Sequence, residues 1–251
     1  MRIRSIASGS RGNAYLVEQG DAVVLIDCGV SYKCLQTTFD VSRLKAVLIT
    51  HNHADHVGGL KRLLNRVSVP VYANEMTAET VSRDLDLDDS VFVCFENGQE
   101  FEVGDLSVLP FSIPHDAADP VGYLIRGDWT YFHGTDIGTP LDSVGVKLGA
   151  ADYATLESNH DAVMLRQSTR PPSLIQRIAG PRGHLSNDQA CELVRRFASP
   201  RLKGLALAHL SRDCNAPHLA ERLMHETLEA LRRTDIELKV CPPDVPVGFE
   251  A

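Results

Sequence analysis

The chain has 251 residues, 43% of them hydrophobic and 23% charged, enough to bury a substantial core. Its formal charge of −8 argues against nucleic-acid binding through general cationic attraction, which needs a basic surface. No apolar run reaches the ~18 residues of a membrane span, and MRIRSIASGSRG lacks the apolar segment of a secretory leader, so a soluble, cytoplasmic protein is expected.

Taken in chain order, short β-rich runs recur: IRSIA (Ile3 to Ala7), AYLVE (Ala14 to Glu18), AVVLID (Ala22 to Asp27) and LKAVLIT (Leu44 to Thr50). A helical pattern follows from Val57 to Arg66, then VPVYA (Val69 to Ala73), a helix from Glu75 to Leu85, and VFVCF (Val91 to Phe95). The second half brings LSVLPFSI (Leu106 to Ile113), VGYLI (Val121 to Ile125), WTYFH (Trp129 to His133) and YATLE (Tyr153 to Glu157). It closes with a helix from Asn187 to Ala198, LKGLALAHL (Leu202 to Leu210) and a helix from Pro217 to Arg233. Pro171-Pro172 reads as a loop. Strands interrupted by helices suggest two packed sheets with helices outside them, in one domain spanning 1–251. Six cysteines (Cys28, Cys34, Cys94, Cys191, Cys214, Cys241) contain no C-x-x-C pair and are expected to stay reduced. Asp84 to Asp105 holds no Lys or Arg and reads as a solvated face. Arg166, Arg170, Arg177 and Arg182 fall in a stretch without acids, which is read either as a solvated face or as phosphate contacts.

The stretch THNHADHVGGL, Thr50 to Leu60, packs three histidines and one aspartate into six positions directly after an apolar strand. Residues two apart on an extended chain point the same way, so His51 and His53 can share one metal. Asp55 and His56, at the start of the next helix, can turn toward a second. Further candidates sit where other strands end: His115 in FSIPHD, Asp136 in YFHGTD and His209 in LALAHLS. The set divides into His51, His53 and His115 for one divalent ion and Asp55, His56 and His209 for the other, with Asp136 able to bridge. Imidazole and carboxylate suit zinc, and also manganese or iron(II).

This arrangement resembles the metallo-β-lactamase fold hydrolases, which implies a four-layer αββα sandwich (α/β) of two mixed sheets with outer helices. Over the whole chain, SGSRGNAYLVE, IDCGVS, HDAADPVGYLI, GTDIG, LESNHD, RIAGPRGHLSN and LALAHLSRDCN are similar to the WalJ/YycJ-type subgroup, a resemblance that implies 5′-to-3′ DNA exonuclease activity. GHLSN followed by a helix and LALAHLS is also similar to ribonuclease Z. There the corresponding segment contacts phosphate, and the preceding strand carries a histidine linked to leaving-group protonation. No counterpart of that enzyme's tRNA-binding arm is evident, the span from Asp136 to His184 is too short for a β-CASP insertion, and Arg170-Pro171-Pro172 stands where the subgroup is expected to have Tyr-Pro.

The expected chemistry is hydrolysis of a phosphodiester, in DNA ends, RNA or a smaller molecule, by a hydroxide held between two ions. Asp55 orients that hydroxide and takes its proton, and Asp116 supports His115. His160 is the candidate acid for the leaving alkoxide, with Asp161 holding its ring; the alternative is a histidine that only bonds a loop. Ser186, three residues before Gln189, has the spacing of a capping box. His184, Ser186 and Asn187 at that helix start, with Ser10, Arg11 and Asn13 from the glycine-rich turn, are expected to line the substrate pocket. An acyl hydrolase of lactonase or thioesterase type, or a metal-binding regulatory protein with little turnover, are the competing readings.

Overall fold

The computed structural model describes residues 1–243 and 245–250. In chain order its elements are β1 (Arg2–Ala7), β2 (Ala14–Gln19), β3 (Ala22–Ile26), α1 (Tyr32–Thr38), β4 (Ala46–Leu48), α2 (Ala54–Val57), α3 (Leu60–Leu64), β5 (Val71–Asn74), α4 (Glu75–Leu85) and β6 (Phe92–Phe95). There follow β7 (Phe101–Val103), β8 (Leu106–Ser112), β9 (Val121–Arg126), β10 (Thr130–Gly134), α5 (Asp142–Gly149), β11 (Tyr153–Glu157), α6 (Ala162–Gln167) and α7 (Pro172–Ala179). The last are α8 (Asn187–Phe197), β12 (Gly204–Ala208), α9 (Pro217–Ala230), β13 (Glu237–Val240) and β14 (Val247–Glu250).

The strands form two mixed seven-stranded sheets, in the orders β14-β1-β2-β3-β4-β5-β6 and β13-β12-β11-β10-β9-β8-β7. Strand period explains the layering. Along β3, Val24 and Ile26 point to the space between the sheets, while Val23 and Leu25 pack outward under α1, α3 and α4. Along β12, Ala206 and Ala208 face inward, while Leu205 and Leu207 pack outward against α5, α8 and α9. Because both faces of these strands are covered, their sequences are continuous apolar runs rather than alternating ones. The result is the expected four-layer αββα sandwich.

Two local expectations are corrected. The single helix from Val57 to Arg66 is two short ones, because the chain breaks at Gly58-Gly59, where a Cβ on Gly59 would sit 1.9 Å from the Val30 carbonyl oxygen. Pro171-Pro172 is not a loop but a helix start: Pro171 is the N-cap of α7 and Pro172 its first residue, where the missing N–H costs nothing.

Leu156, fully buried between β11 and the helices of the outer layer, tests this packing. Leu156→Ala is expected to lower the unfolding free energy in urea by about 3 kcal/mol; a negligible change would contradict the packed layer.

Candidate metal centre

The carboxyl ends of β3, β4, β8, β10, β11 and β12 deliver polar groups to one edge of the sandwich. His51 and His53 follow β4, His115 follows β8, Asp136 follows β10, Glu157 ends β11 and His209 follows β12. Asp27 (φ 59°), Asp136 (φ 60°) and His209 (φ 55°) adopt the left-handed backbone region, which non-glycine residues rarely occupy. Each turns the chain sharply as it leaves its strand.

Most of the rings are held by one nitrogen and turn the other into a common space. The His56 Nδ1–H donates to Asp27 Oδ2 at 2.7 Å, leaving Nε2 3.2 Å from Asp136 Oδ2. The His209 Nδ1–H donates to Glu157 Oε1 at 3.0 Å, leaving Nε2 3.7 Å from Asp55 Oδ2. The His115 Nδ1–H donates to the Gly183 carbonyl at 2.9 Å, and its Nε2 lies 3.7 Å from Asp136 Oδ1. Thr50 gives its hydroxyl proton to the Asp27 carboxylate, so the His51 Nδ1–H donates to Thr50 Oγ1 at 2.9 Å. His53, half-buried, closes the group, with Nδ1 3.3 Å from His115 Nε2.

Potential ligand atoms of His51, His53 and His115 all lie within 4.8 Å of one another, as do those of Asp55, His56 and His209 and those of His51, His56 and Asp136. The residues fit divalent cations on two further grounds. The buried His51 Nε2, Asp136 Oδ2 and His209 Nε2 have no hydrogen-bond partner, which a buried polar atom rarely tolerates. Burial, followed by the neighbouring His56 for His51 and opposed by Asp136 for both, pushes His51 and His115 below the usual imidazole range, so both are neutral, the ligating form. The carboxylates create the opposite demand. Burial acts to raise Asp55, yet His209 and His56 draw it down to about 2; burial acts to lower His209, yet Asp136, Asp55 and Glu157 carry it up to about 10.

Glu157 is absent from the sequence reading of this site. Fully buried, it accepts from His209, from the His184 Nδ1–H at 2.8 Å, and from the backbone N–H groups of Ile137 at 2.8 Å and Leu185 at 3.0 Å. Asp27 was missed as well. Both follow apolar runs (AVVLI and YATL), the same signal that singles out His115 and His209.

A cavity of about 220 Å³ opens over the centre, bordered by Ser10, His53, Asp55, His115, Asp136, His184 and His209, and by Arg170, Leu174 and Arg177 from α7 and its approach. Arg170 pairs with Asp213 and Arg177 with Asp116. Asp116 thus stands between Arg177 and the rings of His115 and His53, 3.5 and 3.9 Å away.

Several expected substrate contacts lie elsewhere. His160 is buried, pairs its backbone with Ser186, and does not border the cavity; burial lowers its pKa, favouring the neutral ring over an acid. Asp161 does not hold that ring, because its carboxylate caps α6 by accepting from the N–H groups of Val163 and Met164. Ser186 and Asn187 are likewise corrected. Ser186 and Gln189 form the capping box, the Asn187 N–H donates to the His160 carbonyl, and the Asn187 side chain bonds Ser158 and Asn215, so little of this helix start is free for an anion. Asn13 is buried beneath the site, its Nδ2 3.3 Å from Asp55 Oδ2 and 3.0 Å from His56 Nε2, while its Oδ1 accepts from the Gly9 N–H. Of the expected substrate contacts, Ser10 and His184 reach the cavity.

The chain matches the model of a β-lactamase superfamily domain over residues 23–205. It is 34% identical over 228 residues to exodeoxyribonuclease WalJ of Streptococcus pneumoniae, covering 87% of this chain and 85% of that one. It is 33% identical over 232 residues to exodeoxyribonuclease YycJ of Bacillus anthracis, covering 89% and 88%. Among solved structures, the metallo-β-lactamase fold protein YhfI of Bacillus subtilis superposes with a TM-score of 0.74 at 17% identity, over 99% of this chain and all of that one.

The Asp27 hydrogen bond predicts a measurable dependence of metal affinity on a residue that is no ligand. Asp27→Ala is expected to weaken zinc binding ~10–100-fold in chelator competition, whereas His160→Ala leaves it unchanged; equal affinity in the Asp27 variant would contradict the ring-holding role.

Proposed function

The chain belongs to the β-lactamase superfamily, and from that premise we propose that it is a metal-dependent nuclease, cleaving DNA from the 5′ end with two divalent ions at the centre described above. The reading rests on one observation: two groups of three candidate ligand side chains, His51/His53/His115 and Asp55/His56/His209, converge beneath one cavity, which His53, His115, Asp55, His209, Asp136 and the Glu157-bound His184 border. The names of the WalJ and YycJ relatives support nucleic acid as the substrate class.

Divalent ions held there would supply a water of lowered pKa and neutralise charge on a phosphoryl oxygen. The chain's own residues do the rest. Asp55, ionised across the neutral range, orients the attacking water and accepts its proton. His184 takes the place expected of His160. Burial acts to lower its pKa, but Glu157 and then Asp136 raise it above the ordinary value, which favours the protonated ring. With Nδ1 bound to Glu157, its Nε2–H is the one available to protonate the leaving alkoxide. Ser10 donates to a non-bridging oxygen, and Arg170 and Arg177, though each is paired with an aspartate, bring guanidinium N–H groups to the rim.

Zinc- or manganese-loaded protein incubated with bis-p-nitrophenyl phosphate, end-labelled DNA and RNA, and a lactone and thioester panel tests this. Phosphodiester cleavage is expected, lost in Asp55→Ala and Asp136→Ala; cleavage surviving either substitution, or turnover confined to the acyl esters, overturns the reading. His184→Ala is expected to lower turnover at least ~100-fold with metal content intact, and His160→Ala to leave turnover near the unsubstituted level.

A further inference from the structure

The loop joining β1 to β2 has two faces. Ser10 borders the metal cavity, whereas Gly9, Arg11 and Gly12 border a second cavity of about 260 Å³. The chain after His209 divides in the same way, with Ser211 on the metal cavity and Arg212 on the second. Both segments thus border the two cavities with adjacent residues, so a polymer passing over them meets both.

The chemistry of the second cavity is that of an anion site. In a chain of net charge −8, its described lining carries two arginines and no Asp or Glu. Arg11 makes no hydrogen bond or ion pair among the described residues, unlike Arg170 and Arg177 in the metal cavity, each committed to a carboxylate.

The loop carrying Arg11 is also fixed to the metal-binding segment. The Asn13 N–H donates to the Asp55 carbonyl at 2.8 Å, the Gly29 N–H donates to the Asn13 carbonyl at 2.9 Å, and the Gly12 N–H donates to the Gly9 carbonyl at 2.9 Å. Gly12 has φ +151° and Gly29 approaches Asp55 so closely that a Cβ would sit 1.7 Å from its carbonyl oxygen. The main chain at Arg11 is thereby held in register with Asp55, with no loop rearrangement needed to form the site.

We infer that this cavity receives a phosphate of the nucleic-acid strand other than the one being cleaved, with Arg11 as its principal contact and Arg212 beside it. The guanidinium fork matches two phosphate oxygens. The inference rests on the nuclease reading and states where the polymer extends beyond the metal cavity. A substrate with a single phosphate reaches the metals and leaves Arg11 unused.

The test separates binding from turnover. A 3′-fluorescein-labelled, 5′-phosphorylated single-stranded oligodeoxynucleotide is titrated by anisotropy, at several salt concentrations, into zinc-loaded Asp55→Ala protein with and without Arg11→Ala. Loss of one charged contact is expected to raise Kd about tenfold at low salt. It should also reduce the slope of log Kd against log salt by ~0.7, the value for one phosphate on a single strand. Arg11→Lys is expected to restore the slope, since it keeps the charge. In otherwise unsubstituted protein, Arg11→Ala should lower kcat/KM for the oligonucleotide and leave that for bis-p-nitrophenyl phosphate unchanged. An unaltered Kd and slope, or an equal loss on both substrates, overturns the inference. Failure of the unsubstituted protein to cleave either substrate sinks the nuclease reading instead, while the salt slope decides the Arg11 contact independently.

Discussion

A histidine offers a metal one ring nitrogen, and the other must be satisfied by the protein if a buried ring is to hold one orientation. Asp27 and Glu157 meet that requirement for His56, His209 and His184, and the Asp27 carboxylate reaches His51 as well through Thr50. Neither carboxylate is exposed. Each is a fixed anchor at the end of a central strand, one in each sheet, so the relative position of the two sheets sets the relative position of the rings. Replacing either anchor would free several rings together.

Holding so many polar groups in a dry edge opposes folding. Asp27, Asp136 and His209 occupy left-handed backbone conformations, and the buried Asp136 Oδ2 has no hydrogen-bond partner among the described residues. The compensation comes from the layers on either side. The inter-sheet core around Tyr15, Val24, Tyr123 and Tyr131 and the outer layers under α4 and α8 are closely packed apolar clusters. Such packing resists the relaxation that would let the strained residues leave the site.

The central strands were legible because both faces of each are covered and their sequences are unbroken apolar runs; β11 is read to the residue, and α4 likewise. Of the four strands at the sheet margins, only β6 was read. β7, β13 and β14 are short and half-exposed, so Phe101–Val103, Glu237–Val240 and Val247–Glu250 lack a run long enough to stand out. The ligand candidates were visible because histidine and aspartate are conspicuous immediately after an apolar strand. Asp27 and Glu157 occupy equivalent positions but look like strand ends, and their partners His56 and His184 are distant in sequence. The choice between His160 and His184 depends on which ring borders the cavity, and neighbouring sequence carries no record of that. Ser186 illustrates a related limit: its capping box was readable from spacing, but the box consumes the same amides an anion would need.

Charge distribution shows how an acidic chain can engage a polyanion. The acid-rich span from Asp84 to Asp105 runs along β6 and β7, the margins at one end of both sheets. Arg11, on the loop before β2, and Arg212, after β12, lie toward the other end, with Arg170 and Arg177 over the metal cavity between. Surface fields are screened within a Debye length of ~8 Å at physiological salt, so this asymmetry acts at contact range rather than by long-range attraction. On the reading proposed above, a strand laid across the metal cavity toward β6 and β7 would meet repulsion, and one laid toward Arg11 would meet a guanidinium without an ion-pair partner among the described residues. The same feature that weighs against general cationic binding therefore gives the cavity a direction.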